Sequence, residues 1–448
     1  MLISPDHRVR LSTRSPVAAA TALEAVFVGG AAATPAFAAA TTALVAAAQL
    51  GFVPASNDTS LNDLPLAFSD AASFAAAFPG DDGWLARAVS DYFNAGGMRA
   101  WVVRVAPDAG GTLDAYMRAN AATGLAVALQ IPSVGLLVLP DLEYLCLAGA
   151  EPAPPVPVAA ALAPGFRPIT DFVAPKPTPP AIPAADGVVD PQDVLTRASA
   201  MLAAFRPDML CLFALPVGAD QTQTAAAMVR RADAYVHGAA PPGPDLPQVQ
   251  AFAPLLRDPG GAIVSPSGLI AGLLCSAGQT DGVWRSVAGR TLPSAATPLR
   301  RIESNALDTL RHSGITALRF APGGTMLDDD ILACRDVAGA APRRSAGARR
   351  LMGWLLRSLQ TFGEQLVFEN VLDDGRVELA LTSLFATLLK RGALNGRQVT
   401  DAVTITRRNT AQSSAIEFDI GIAVSVAIET IRLRFLDGDV TTTLSEAA

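Results

Sequence analysis

Residue types able to support catalysis are few and scattered in this chain. Ser265-Pro266-Ser267-Gly268 sets two hydroxyls beside a glycine, but the motif G-x-S-x-G needs a glycine two places before the serine, where Ser265 stands. The segment therefore reads as a turn. Asp328-Asp329-Asp330 would suit a hard cation. Placed just before Ile331-Leu332, it reads better as the acidic start of a helix, where carboxylates complement the positive helix end. His7, His237 and His312 are isolated, and no H-E-x-x-H or paired-histidine spacing exists. Cys146, Cys211, Cys275 and Cys334 form no C-x-x-C and sit among apolar neighbours, which predicts buried free thiols in a reducing compartment. Neither Lys176 nor Lys390 follows a glycine-rich phosphate loop, and no G-x-G-x-x-G follows a strand. No catalytic residue, metal ligand or cofactor is predicted.

Composition narrows the class further. The 448 residues are enough for two or three domains, half of them are hydrophobic and 17% are charged. Mean hydropathy is +0.33 and the pI about 5.1. Such a chain is not intrinsically disordered. A net charge of −7 argues against general nucleic-acid binding, which needs a basic surface. So few charges on a soluble chain predict that much of its surface is covered in an assembly.

The elements follow from periodicity. Ala25 to Val28 is a short buried strand stopped by Gly29-Gly30. Trp84 to Phe93 repeats apolar residues at helical spacing and ends at Asn94-Ala95-Gly96-Gly97; Ala100 to Val105 is then a strand. Leu136 to Leu139 and Met209 to Leu215 are strands, and Pro191 to Phe205 and Ala225 to Val236 are helices. Strand and helix alternate, which predicts an α/β body over 16–342. Proline crowds the stretch 151–190, which reads as an excursion from that body. The region 343–430 predicts an α+β C-terminal domain. Its helix Ala348 to Phe362 puts Leu351, Leu355, Leu359 and Phe362 on one face and Arg350, Gly353 and Arg357 on the other. Val377 to Leu389 is a second helix. From Ile416 to Ile428 every even position is apolar, and from Ile431 the apolar set moves to Ile431, Leu433 and Phe435, so the register slips near Glu429-Thr430. Val440, Thr442 and Leu444 suit a further strand. Two arms flank the domains: 1–15, where Val9 and Leu11 alternate with arginine, and 431–448. The charge-free stretch Ala25 to Leu50 follows Arg8, Arg10 and Arg14, so a secretory signal is a competing reading; it lacks a compact leucine core, and Pro35 argues against a spanning helix.

Three blocks in order resemble the contractile tail sheath family of phage tails, R-type pyocins and phage-like injection systems. The first runs through Phe78-Pro79-Gly80, Tyr92-Phe93-Asn94-Ala95-Gly96-Gly97 and Trp101-Val102-Val103-Arg104-Val105. The second is Pro266-Ser267-Gly268 to Ala271-Gly272, with Thr280-Asp281-Gly282-Val283-Trp284 after it. The third spans Arg349-Arg350-Leu351, Val367-Phe368-Glu369-Asn370 and Gly392-Ala393-Leu394-Asn395-Gly396. Ala423 to Ala427 lacks the prolines the family carries there, which keeps a baseplate-proximal paralogue open beside the ordinary sheath subunit. A secreted hydrolase-like α/β protein is the alternative from another class.

The resemblance implies a structural, non-enzymatic subunit that stacks as hexameric rings around an inner tube and contracts without consuming nucleotide. Baseplate and terminator proteins would be further partners, with no nucleic acid and no membrane insertion. Assembly in the bacterial cytoplasm, or residence in a phage-like particle, follows. The arms, with Val9, Leu11, Ile431, Leu433 and Phe435, would add strands to neighbouring subunits. Between Arg343 and Thr410 eleven basic residues face six acidic ones. That excess marks Arg349, Arg350 and Arg357 as candidates to face an acidic tube.

Overall fold

The computed structural model describes residues 23–30, 34–54, 60–106, 113–118, 123–150, 189–219, 224–238, 245–336, 341–364, 374–408, 417–425, 432–436 and 439–443. The proline-rich stretch up to residue 188, the arm 1–15 and the register slip near Glu429-Thr430 lie outside them.

Fifteen strands are described: β1 Glu24–Gly29, β2 Pro65–Phe68, β3 Ala100–Arg104, β4 Val134–Val138, β5 Leu210–Ala214, β6 Val249–Ala253, β7 Leu256–Arg257, β8 Ile263–Val264, β9 Thr297–Pro298, β10 Ile315–Ala321, β11 Gly324–Leu327, β12 Val403–Arg408, β13 Glu417–Ile422, β14 Arg432–Leu436 and β15 Asp439–Thr443. The helices are α1 Thr41–Gln49, α2 Ala71–Ala77, α3 Trp84–Asn94, α4 Leu113–Tyr116, α5 Leu125–Ala128, α6 Pro140–Ala150, α7 Pro191–Phe205, α8 Ala225–His237, α9 Ser267–Thr280, α10 Ser304–His312, α11 Ala341–Arg344, α12 Ala346–Glu364, α13 Asp374–Lys390 and α14 Val399–Ala402.

Eight strands form one sheet in the order β11-β10-β6-β5-β4-β1-β3-β2. The six inner strands are parallel; the edge strands β2 and β11 run antiparallel to their neighbours. Inner strands buried on both faces read as unbroken apolar runs, as Ala25-Val26-Phe27-Val28 does. Alternation then assigns the faces. Phe27, Val102, Leu136, Leu212 and Phe252 point to one side, while Val26, Val28, Val103, Leu137 and Phe213 point to the other. The second face is covered by helices that include α7, α8 and α10. The first is covered by α3 and α9, and its apolar cluster runs on without a break into Leu351, Leu355, Leu381 and Phe385 of α12 and α13. The C-terminal helices thus share a core with the sheet.

The stretch that could have been a signal sequence is β1, with a strand on each side, followed by α1. Among the described residues no helix is long and apolar enough to cross a membrane, and no group of three metal-binding side chains occurs. All four cysteines are free and buried, as expected.

Candidate functional site

The segment around Ser267 is not a turn but the first turn of α9, with Pro266 preceding it. Its glycines explain the motif. A Cβ on Gly268 would lie 2.3 Å from the Ala88 carbonyl oxygen, and one on Gly272 2.2 Å from that of Tyr92. These two positions, four apart on one helix face, let the backbones of α9 and α3 touch. Ser267 is fully buried; its Oγ donates to Glu143 Oε1 at 2.5 Å, and that oxygen also accepts the Ala214 amide at 2.7 Å. The serine ties α9 to the end of β5 through Glu143 of α6. Burial pushes the Glu143 carboxyl up to about 7, against the Ser265 and Ser267 hydroxyls, which favour the charged form. His237 Nε2 meets the Ser313 carbonyl and His312 Nδ1 that of Asp308.

Gly282 has φ +108°, and a Cβ there would strike the Trp284 ring at 2.5 Å. Glycine is therefore what allows the indole to fold back over this loop. The Arg391 guanidinium, just past α13, lies 5.4 Å from the centre of that ring.

Two of the arginines of α12, Arg350 and Arg357, do not lie on an open face. Arg350 and Arg357 were placed on a face open to a partner; the structure turns both into the protein, with side chains only 1% and 4% exposed. Arg350 forms a forked pair with Asp330, at 2.9 Å and 2.7 Å, and donates to the Val283 and Arg285 carbonyls. Burial alone would raise the Asp330 carboxyl, but the Arg350 charge, with hydrogen bonds from Arg350, Gln250 and the Val287 amide, outweighs it and holds the group below its usual range. Arg357 Nη1 donates to the Asp208 backbone carbonyl at 2.7 Å and its carboxylate at 3.2 Å. Asp208 is also gripped by Arg206, and its carboxyl is held down although burial works the other way. Arg349 Nη2 donates to the Pro207 carbonyl at 2.7 Å. Between the two buried arginines, a Cβ on Gly353 would sit 2.2 Å from the Asp208 carbonyl oxygen. Arg350 and Arg357 on the polar face of α12 dock onto the body, while Arg349 beside them is half-buried.

Asp328-Asp329-Asp330 starts no helix. Asp328 pairs with Arg319 and Arg311, Asp329 with Arg311, and Asp330 with Arg350. Three carboxylates that looked like a local cap are spent on three arginines from other segments.

The strand-bearing C-terminal region is simpler. β12 pairs antiparallel with β13 from Val403↔Ile422 to Arg408↔Glu417, and both outer edges of this two-stranded ladder lack a strand partner over that span among the described residues. Phe418, Ile420 and Ile422 lean on the core while Asp419 and Gly421 are exposed, as the alternation requires. β12 was not anticipated, although Val403-Thr404-Ile405 carries a β-branched signal. Leu433 and Phe435 lie in β14, opposite Thr442 and Val440 of β15. Val9, Leu11 and Ile431 lie outside the described residues.

This architecture is similar to that of contractile sheaths. The sheath complex of an extracellular contractile injection system, PVC, in its contracted state matches with a TM-score of 0.60 and 14% identity, over 98% of this chain and 95% of that one. The helical sheath of the anti-feeding prophage in its contracted state matches with a TM-score of 0.59 and 16% identity, over 98% of both chains. A chain of the contracted anti-feeding prophage baseplate matches with a TM-score of 0.60 and 18% identity, over 98% of both. No family model and no curated protein matches the sequence. The chain has the contractile-sheath fold over nearly its whole length.

Proposed function

We propose that this chain is the structural subunit of a contractile sheath, polymerising as stacked hexameric rings around an inner tube and contracting to drive that tube through a target envelope. The near full-length likeness to sheath chains of phage-like injection systems carries the reading. The β12–β13 ladder supports it, because an antiparallel pair with two open edges is a template for strand addition. The arms 1–15 and 431–448 supply those strands to neighbouring copies. The subunit is mechanical rather than catalytic: its buried serine and carboxylates join elements of the fold.

Deleting residues 1–15, or everything after Thr430, tests this. Each truncation is expected to leave a folded body, with the circular dichroism of the full chain, that builds no long sheaths. Sheaths of normal length from either truncation would contradict it.

A further inference from the structure

With Arg350 and Arg357 turned inward, another set of cations shows at the surface. Arg285, in the loop after α9, and Lys390 and Arg391, at the end of α13, are all exposed. Arg285 Nη2 donates to the Arg391 carbonyl at 3.3 Å, so the loop and the helix end are in direct contact. The Arg391 guanidinium is set over the Trp284 ring. The platform is rigid from below: Arg350 Nη2 holds the Arg285 carbonyl at 3.1 Å, and Gly282 admits the folded-back indole. The buried arginine thereby fixes the loop that carries an exposed one.

None of the three cations has a carboxylate within ion-pair distance among the described residues. Asp281, whose carboxyl Arg285 helps hold down, is already paired with Arg290 at 2.5 Å. A cation in the last turn of a helix is favoured by the helix dipole, which accounts for Lys390. It does not account for Arg285, which comes from a different element and is brought to the same spot.

We propose that Arg285, Lys390 and Arg391 form a contact surface for an acidic patch on a second copy of this chain. Charge complementarity selects that occupant. The chain as a whole carries −7 although residues 343–410 hold eleven bases against six acids, so the remainder of each copy is strongly acidic. Electrostatic matching of this kind fixes register and speeds encounter between copies. The proposal rests on the sheath reading only in supposing that copies meet repeatedly.

The test uses the full chain without any tube protein, followed by sedimentation velocity at low and high salt. Wild type is expected to self-associate, more at low salt, since the screening length is about 8 Å at physiological ionic strength. Arg285→Glu with Arg391→Glu should reduce assembled material by roughly tenfold at low salt, whereas Arg285→Lys with Arg391→Lys retains assembly. Lys390→Glu, at an exposed position, should give a smaller loss in the same direction and guards against a folding defect in the double variant. Self-association that is lost on charge reversal but builds no tubes removes the sheath reading and leaves this surface standing. Tubes formed equally well by the reversed variants at low salt overturn the surface and leave the sheath reading intact. A wild type that stays monomeric at every salt overturns the surface, as does a loss confined to the binding of a separate tube protein.

Discussion

Two helices close the same face of the central sheet by opposite means. α9 meets α3 through glycine: the Gly268 and Gly272 backbones touch the Ala88 and Tyr92 carbonyls, amid Leu269, Ile270 and Leu274. α12 meets the body through guanidinium: Arg350 and Arg357 reach buried aspartates, and its leucines serve the opposite side. The first joint is made by apolar burial and shape. It is non-directional in energy and tolerant of salt. The second is made by paired buried charges, whose desolvation cost nearly cancels their attraction. Its gain is one permitted register of α12 on the body. The glycine joint holds the element in place, and the arginine joint specifies where the element sits.

The largest expected effect comes from breaking the charged joint on one side only. Arg350→Met strands Asp330 in the core and should cost about 4 kcal/mol in denaturant unfolding, within the range for orphaning a buried charge. Replacing both partners, Arg350→Met with Asp330→Leu, should recover most of that loss. A double variant no more stable than the single one would show that the joint does not work by charge pairing. Gly272→Val attacks the other joint. With Tyr92 O at 2.2 Å and Ala95 Cβ at 2.7 Å from the new Cβ, α9 must move away from α3, at about 3 kcal/mol. No second substitution in α12 should rescue it.

Carboxyls buried elsewhere in the body respond to pH in the opposite sense to those of the arginine joint. Burial raises Asp91 of α3 to about 6 and Asp141 and Glu143 of α6 to about 7, so these groups bind protons more tightly in the folded chain than in the unfolded one. Their contribution is greatest in acid and falls as pH rises through about 4 to 7. Asp330 and Asp208 are held below their usual value, so their contribution is present at neutral pH and is lost only in stronger acid. Lowering the pH from 8 to 5.5 should therefore raise the melting temperature of the unassembled chain, by about 4 °C. A flat or falling profile by scanning fluorimetry would contradict the buried-carboxyl account. Asp141→Asn with Glu143→Gln should flatten the rise.

Ser267→Ala should have a smaller effect. It removes one hydrogen bond to Glu143 and should cost about 1–2 kcal/mol in stability. Assembly should be retained and no hydrolytic activity should appear or vanish. A measurable hydrolase activity abolished by this change would place chemistry where the structure shows only a tie between α9 and β5.

The sequence carries these regions unequally. Trp84 to Phe93, Pro191 to Phe205 and Ala225 to Val236 were readable as helices, and Ala100 to Val105 as a strand, because each has a strong period bounded by glycine, proline or a polar cap. The α12 period is equally clear, and its arginine stripe suggests a face open to an acidic partner. Periodicity distinguishes charged from apolar faces, but it does not show whether the charged face meets water or buried carboxylates. The partner of Arg357 stands 149 positions earlier in the chain. Gly353 on the arginine face was the available signal, since a glycine inside a long helix often marks close backbone approach. Asp328-Asp329-Asp330 failed for the same reason: its arginines come from Arg311, Arg319 and Arg350. The short strands β6 and β10 lack the caps and length that made the helices visible. The motif glycines Gly268 and Gly282 were recognisable by resemblance, but their packing roles depend on Ala88 and Trp284 in space.

The central claim, a sheath subunit linked to its neighbours by strand addition, is tested most directly by cryo-electron microscopy of the full chain assembled to filaments. The account predicts six-fold rings in which the β12–β13 ladder is extended on its open edges by strands from adjacent copies. Assembled particles in which both edges of that ladder stay bare, or a chain that remains monomeric under all assembly conditions, would contradict it.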